Sequence, residues 1–404
     1  MNLKNIITGG IGMFTCIAAL FSSVPAGASD SAEEAWKIIA PYFKPPKEFE
    51  NDFGPHKPVL KFYNGTPVAT PEDWKKRRAE IRKKWDEMMG PWPELIEKPK
   101  IEYVEKKHKY NYTQHTIRVN LAPQWDPWTC YLLMPDGEGP FPAAVTVYYY
   151  PEGPLVHKKC GYARELAKRD FIVLAIGRSD YDRIQKHWKS MAKKMPDHQK
   201  GTHCYWPNRE EPQLAPLSFM AYAAANACNA LATLKEVDPE RIGVVGHSYG
   251  GKWALFAASM YDKFACGVWS DPGVTIFNPT HGGANYWSKG YLGTKPKGTK
   301  KSAYRQIKEG GHDLHELQAL MAPRPFLVSG VQGGPDPKTE HTDKPLRWRA
   351  LNHIVAVNSL LGYTNRVAMT NDRPGHYSTR KAQRQVMAFF EYFLKYKKVL
   401  EKKK

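Results

Sequence analysis

Apolar positions along the chain fall into two patterns. Before residue 140 they recur at helical or alternating spacing. After it they gather into short solid runs separated by amphipathic stretches. Trp74, Ile81, Trp85 and Met88 lie seven, four and three positions apart, on one face of a helix. Thr70-Pro71-Glu72-Asp73 supplies a capping residue, a proline for the first turn and early acids, and Gly90 closes the helix. Residues 29–69 read as an irregular, proline-bearing lead, and 101–135 alternate as antiparallel strands do. From Phe141 onward, runs at Ala143–Tyr150, Phe171–Ile176, Arg241–Val245, Ala265–Trp269, Pro325–Gly330 and Arg366–Thr370 predict buried strands. Between them Ala163–Lys168, Leu217–Leu234 and Trp253–Tyr261 predict helices, and a last helix puts Val386, Phe389, Phe390, Phe393 and Leu394 on one face. Such alternation predicts an α/β fold, a mostly parallel sheet with helices on both faces, plus an N-terminal helical and β extension.

The first 28 residues stand apart. Lys4 precedes an apolar run from Ile6 to Phe21, and Ala26-Gly27-Ala28 forms a small-residue cleavage site. This is the pattern of a secretory signal peptide. The expected organisation is 1–28 signal peptide, 29–135 N-terminal extension packing on the main domain, 136–396 main α/β domain and 397–404 basic tail. The protein is therefore expected in the periplasm or outside the cell, without stable membrane insertion after cleavage. A net charge of +19 over 404 residues admits nucleic acid, anionic membrane or an acidic polymer as partner. Export turns that choice away from nucleic acid. Cleavage leaves Cys130, Cys160, Cys204, Cys228 and Cys266, an odd number without zinc-site spacing, and no disulfide is assigned.

One stretch carries chemistry. Ile242–Gly251 reads strand, then Gly246-His247-Ser248-Tyr249-Gly250, then helix. A G-x-S-x-G turn between strand and helix lifts a serine to the C-terminal edge of a sheet, so Ser248 is the candidate nucleophile. The same residues begin a P-loop pattern through Gly251-Lys252. Trp253 stands where that loop needs a hydroxyl for magnesium.

A serine needs a base, and the base an acid, in the order Ser, Asp or Glu, His. His376 follows the last strand and precedes the last helix, which is the position of the base. Two acids compete. Asp336 follows the run Pro325–Gly330, the usual position, and is preferred. Asp271 follows the run before it and stays open as the alternative. The backbone amide of Tyr249 is the first expected oxyanion donor, and a second is placed near Tyr150. This chemistry requires no metal or organic cofactor. His312 and His315 flank Asp313 and are read as helix-start packing residues. Trp287, Trp348 and Tyr286 are candidate sugar-stacking rings, Trp348 foremost.

Residues 246–255, GHSYGGKWAL, resemble the nucleophile region of the glucuronoyl esterases, carbohydrate esterase family 15. Asp313–Pro325 is similar to that family's D-x-H-x-L-x-A-L-x-A-P-R stretch. The likeness spans roughly 140–394. It implies an α/β-hydrolase fold, a sugar contact at Lys252, four residues past the serine, and an acid 23 residues past it, where Asp271 stands. Tyr249 stands where that family has an arginine. The expected protein is an exported serine esterase acting on a polysaccharide or small ester substrate, a glucuronoyl ester first. Its alternatives are an acetyl-polysaccharide esterase, an oligopeptidase of the same superfold, or a carbohydrate-binding protein on a silent hydrolase fold.

Overall fold

The computed structural model describes residues 26–156, 161–177, 205–208, 211–276, 291–332 and 343–396. The predicted signal peptide up to residue 25, the basic tail 397–404, Asp336, Tyr286, Trp287, Cys160 and Cys204 lie outside them.

Among the described residues nine strands form one sheet: β1 (Ile101–Lys109), β2 (Tyr112–Val119), β3 (Trp128–Pro135), β4 (Phe141–Val147), β5 (Ile172–Ile176), β6 (Val237–His247), β7 (Cys266–Ser270), β8 (Phe326–Val331) and β9 (Val367–Arg373). Their order is β1-β2-β3-β5-β4-β6-β7-β8-β9. The first three pair antiparallel, β3 meets β5 antiparallel, and β5 through β9 run parallel. Residues 101–135, grouped in the sequence with the N-terminal extension, thus supply a third of the same sheet.

Parallel strands are covered on both faces, which is why they read as solid apolar runs. Side-chain alternation then divides each run between two cores. Ile172, Leu174 and Ile176 enter one and Val173 and Ala175 the other; Phe326 and Val328 part from Leu327 in the same way. One layer holds α2 (Pro71–Met89), α4 (Pro216–Ala232), α5 (Tyr249–Met260), α6 (Ala303–Glu309), α7 (Leu314–Ala319) and α8 (Trp348–Leu360). The other holds α1 (Ala26–Ile39), α3 (Tyr162–Ala167) and α9 (Arg380–Phe390). Helix α2 has the expected start: Thr70 Oγ1 accepts from Asp73 N at 3.1 Å, and Asp73 Oδ2 from Thr70 N at 3.1 Å. No helix among the described residues is long and apolar enough to cross a membrane.

Strand β4 pairs with β5 on one side and β6 on the other, so the connections leaving β4 and β5 run in opposite directions. Beyond the carboxyl ends of strands at such a reversal a crevice opens, the usual ligand position in open α/β sheets. Ser248 directly follows β6 at that place.

The lead expected to be irregular contains a helix instead. Trp36 of α1 stacks on Tyr392 (4.8 Å between centroids) and on Phe43 (5.3 Å). The stabilisation comes from the far end of the chain, just past α9, so the local pattern of polar residues gave no sign of it. Residues 49–57 then cross α7 and α8. Asn352 Nδ2 donates to Phe49 O (2.7 Å) and Asp52 O (2.8 Å), His315 Nε2 meets Lys57 O (2.8 Å), and His353 Nε2 meets Phe53 O (3.1 Å).

At this seam the rings of His56, His315 and His353 lie within 4.9–6.2 Å of one another. Burial, then the charges of His353, Arg347 and Arg349, push His56 down to about 4. Burial likewise holds His315 well below the usual imidazole range and lowers His353. Asp313 Oδ2 stands 3.8 Å from His56 Nδ1, too far to reverse this, while its Oδ1 accepts from the amides of Ile276 and Leu314 at 2.6 Å. The folded protein therefore refuses protons that the unfolded chain accepts below about pH 6.5.

The stability carried by these imidazoles should be level above that pH and decline towards pH 4, the His56 share being on the order of 3 kcal/mol at about 1.4 kcal/mol per pKa unit. Denaturant midpoints measured from pH 8 to 4 check this, and His56→Asn should flatten the decline. An equal slope in that variant would remove the imidazoles as its cause.

Candidate active site

Backbones approach unusually closely around Ser248. A Cβ on Gly246 would lie 2.2 Å from Gly250 O, and one on Gly250 2.1 Å from Val147 O. Only glycine fits at either position, and the turn is thereby pressed against the end of β4. Ser248 itself takes φ 56° and ψ −114°, a conformation that a side chain rarely adopts. Its N–H donates to Ser270 O (2.7 Å), and its carbonyl accepts from Lys252 N (3.0 Å) as α5 begins.

The hydroxyl is met by the predicted base. Ser248 Oγ lies 2.8 Å from His376 Nε2, and His376 Nδ1 lies 2.6 Å from Asp271 Oδ2. His376 is carried by the loop between β9 and α9, and Asp271 by the turn after β7, itself at φ 52°. Of the two acids weighed from the sequence, Asp271 is bonded to the imidazole, and Asp336 lies outside the described residues.

Asp271 is 1% exposed. Burial alone would raise its pKa, but the hydrogen bond from His376 and the Arg373 guanidinium outweigh it and hold the carboxyl below the usual range. Its second oxygen, Oδ1, accepts from Asp343 N at 2.7 Å. Asp343 is also fully buried, and its carboxylate accepts from Gly273 N (3.0 Å) and Val274 N (2.7 Å). Burial, then the charge of Asp271, push Asp343 up to about 6. The sequence offered no signal for Asp343, which is an ordinary acid between two unremarkable neighbours. Arg373 was legible only as part of the loop that bears His376.

Tyr249 opens α5, so its amide stands at a helix N-terminus beside Ser248. Its ring is buried, stacked on Tyr149 at 4.4 Å, and its hydroxyl donates to Met220 Sδ at 2.9 Å. Tyr150 lies in the turn after β4; its carbonyl accepts from Gly153 N (3.1 Å), and Gly177 packs directly on its backbone.

Lys252 is 1% exposed, one turn past Ser248, with Nζ 5.6 Å from the Tyr291 ring centre. Burial lowers its pKa, opposed by Tyr291, Asp343 and Asp271. Trp348 does not stand on an open face: it is 1% exposed and belongs to the core beneath α8. That placement corrects its reading as a sugar-stacking ring, since an aromatic at the start of an amphipathic helix packs inward as readily as it faces a ligand. His312 Nδ1 meets Glu316 Oε2 at 2.7 Å, and Asp313 caps α7, so these residues serve packing, as expected.

The sequence profile of the prolyl oligopeptidase family matches residues 224–396. No curated protein matches the chain in sequence. Solved structures do. The chain superposes on a glucuronoyl esterase from Solibacter usitatus with a TM-score of 0.63, at 18% identity over 84% of this chain and 97% of that one. The fold is that of the α/β-hydrolases. A promiscuous CE15 esterase from a marine bacterial metagenome gives a TM-score of 0.61 at 15% identity, over 83% of this chain and 96% of that one. A glucuronoyl esterase from Caldicellulosiruptor kristjansonii gives 0.58 at 19%, over 88% and 94%.

Close packing at the turn makes a sharp prediction. Gly250→Ala should lower stability by about 1–3 kcal/mol, as overpacking does, and move Ser248 out of line with His376. Thermal unfolding, together with labelling by a fluorophosphonate, measures both. Full labelling in a stable Gly250→Ala protein would show that the turn does not need this contact.

Proposed function

We propose that the protein is an exported serine esterase that hydrolyses carboxylic esters on polysaccharide. The observation carrying this reading is the unbroken line from Ser248 Oγ through His376 to Asp271, at 2.8 and 2.6 Å, on the carboxyl edge of the sheet.

The chemistry follows from that line. Ser248 attacks the ester carbonyl while His376 Nε2 takes its proton. Asp271 accepts from Nδ1, fixing the ring's tautomer and favouring the imidazolium as it forms. The tetrahedral oxyanion is held by the Tyr249 amide at the head of α5, with a second donor from the Tyr150 turn. Collapse expels the alcohol, protonated by His376, and leaves an acyl-serine. Water, activated by the same imidazole, releases the acid.

Glucuronoyl esters are the first substrate class. The likeness to glucuronoyl esterases supports it, as does the net charge of +19, suited to an acidic polymer. Acetyl esters are the second. Tyr249 in place of an arginine, with its ring turned into the core, leaves no cationic side chain at that position for a charged acyl group. Residues 26–135 form α1, α2 and three strands of the same sheet rather than propeller blades, which does not favour the oligopeptidase reading.

Purified mature protein and Ser248→Ala, assayed on benzyl glucuronate and 4-nitrophenyl acetate, decide between the substrate classes. Cleavage of the glucuronate that vanishes in Ser248→Ala is the expected result. Cleavage of the acetate alone moves the substrate to acetylated polysaccharide. Labelling of neither protein by a fluorophosphonate would favour a non-catalytic binding role. Asp271→Asn should lose about 10³–10⁴-fold in kcat while remaining folded, because the imidazole is then held in the wrong tautomer. Equal kcat in Asp271→Asn would return the acid's role to Asp336. Secreted material should begin at Ser29, which N-terminal sequencing reads directly.

A further inference from the structure

We infer that Arg373 is a positioning residue that sets both the orientation and the charge of the Asp271–His376 pair. For its kinetic readout the inference rests on the serine-esterase reading; its spectroscopic readout does not.

The Arg373 guanidinium is fully buried. Nη1 donates to the carbonyl of His376 at 2.6 Å, Nε to Gly330 O at 3.0 Å, and Nη2 to Ser329 O. One planar fork therefore ties the end of β8 to the loop bearing the base. Carbonyl oxygens satisfy donors without cancelling charge, and a buried guanidinium needs an anion. Asp271 supplies it, with Oδ2 3.7 Å from Nη2. That is the same oxygen that meets His376 Nδ1. Arg373 thus acts on the base twice, through its carbonyl and through its carboxylate partner.

Other groups face the pair from every side. Asp343 binds Asp271 through its amide, and Arg347, before α8, counters the Asp343 charge. Lys252 looks in from α5. The His247 ring, at the end of β6, lies 4.8 Å from His376, and Tyr377 lies 5.9 Å away. Asp372, next to Arg373 in sequence, is directed elsewhere: it accepts from Tyr42, Lys381 and Gln385. Of these groups Arg373 is the cation in ion-pair contact with Asp271. Removing a cation favours the protonated form of every group near it, so without Arg373 the pair takes up protons at higher pH.

The experiment uses the full mature chain, Arg373→Gln and Arg373→Lys. The His376 ring is followed by NMR through a pH titration, its signals assigned by their loss in His376→Asn, and fluorophosphonate labelling is timed across the same range. In Arg373→Gln the His376 midpoint should rise by about one pH unit, and labelling at pH 7 should slow about tenfold. Arg373→Lys keeps the charge without the fork. Its midpoint should return to that of the unmodified protein while labelling stays slow.

A folded Arg373→Gln with an unmoved midpoint overturns the inference, even if it melts earlier, because Arg373 is then only a brace. Should Arg373→Gln not fold, Arg373→Lys decides: slow labelling at an unmoved midpoint supports the inference, and labelling at the full rate overturns it. If the unmodified protein is never labelled, the esterase reading fails. The titration then still shows whether Arg373 sets the charge of the pair.

Discussion

A carboxylate buried to the depth of Asp271 is the constraint around which the site is arranged. Left without partners it would take up a proton and cease to orient an imidazole. The fold meets that demand from three directions. The Asp343 amide comes from the segment before α8, the imidazole from the loop after β9, and a guanidinium from the end of β9 itself. None of these lies near Asp271 in the chain. The acid is therefore a product of the whole carboxyl edge of the sheet rather than of its own turn.

Ser248 shows the complementary case. The glycines that shape its turn are its neighbours in sequence, and they let that turn press against the end of β4. A determinant of that kind is written in the chain and can be read there. G-x-S-x-G between a strand and a helix pointed to Ser248, and the loop after the last strand to His376, whose ring meets that hydroxyl. The parallel strands were legible for a similar reason, since burial on both faces leaves solid apolar runs that only their ends blur.

What sequence could not resolve was whatever depended on distant partners. Asp271 and Asp336 each follow a predicted strand and precede a proline, so nothing local separates them, and the bond from Asp271 to His376 is visible only in three dimensions. Trp348 looked like a ligand-facing ring because exposure is a property of packing, and its surroundings come from other elements. Residues 101–135 read correctly as strands, yet their membership of the main sheet turns on the short antiparallel pairing of β3 with β5. Asp343 offered no pattern at all. Its carboxylate serves two amides of the turn that bears Asp271, a role that only three-dimensional proximity creates.

The contact of α1 with the end of the last helix has a consequence for how the chain assembles. Trp36 finds its aromatic partner at Tyr392, and Phe43 meets Phe393 at 6.1 Å. The first helix described thus has its hydrophobic partner among the last residues of the fold. Closing so long a loop is entropically costly and is repaid only when the final helix exists. A chain emerging from its N-terminus would keep α1 undocked until nearly all of it had been made. On this account the seam between α1 and the end of the last helix is the latch that closes last.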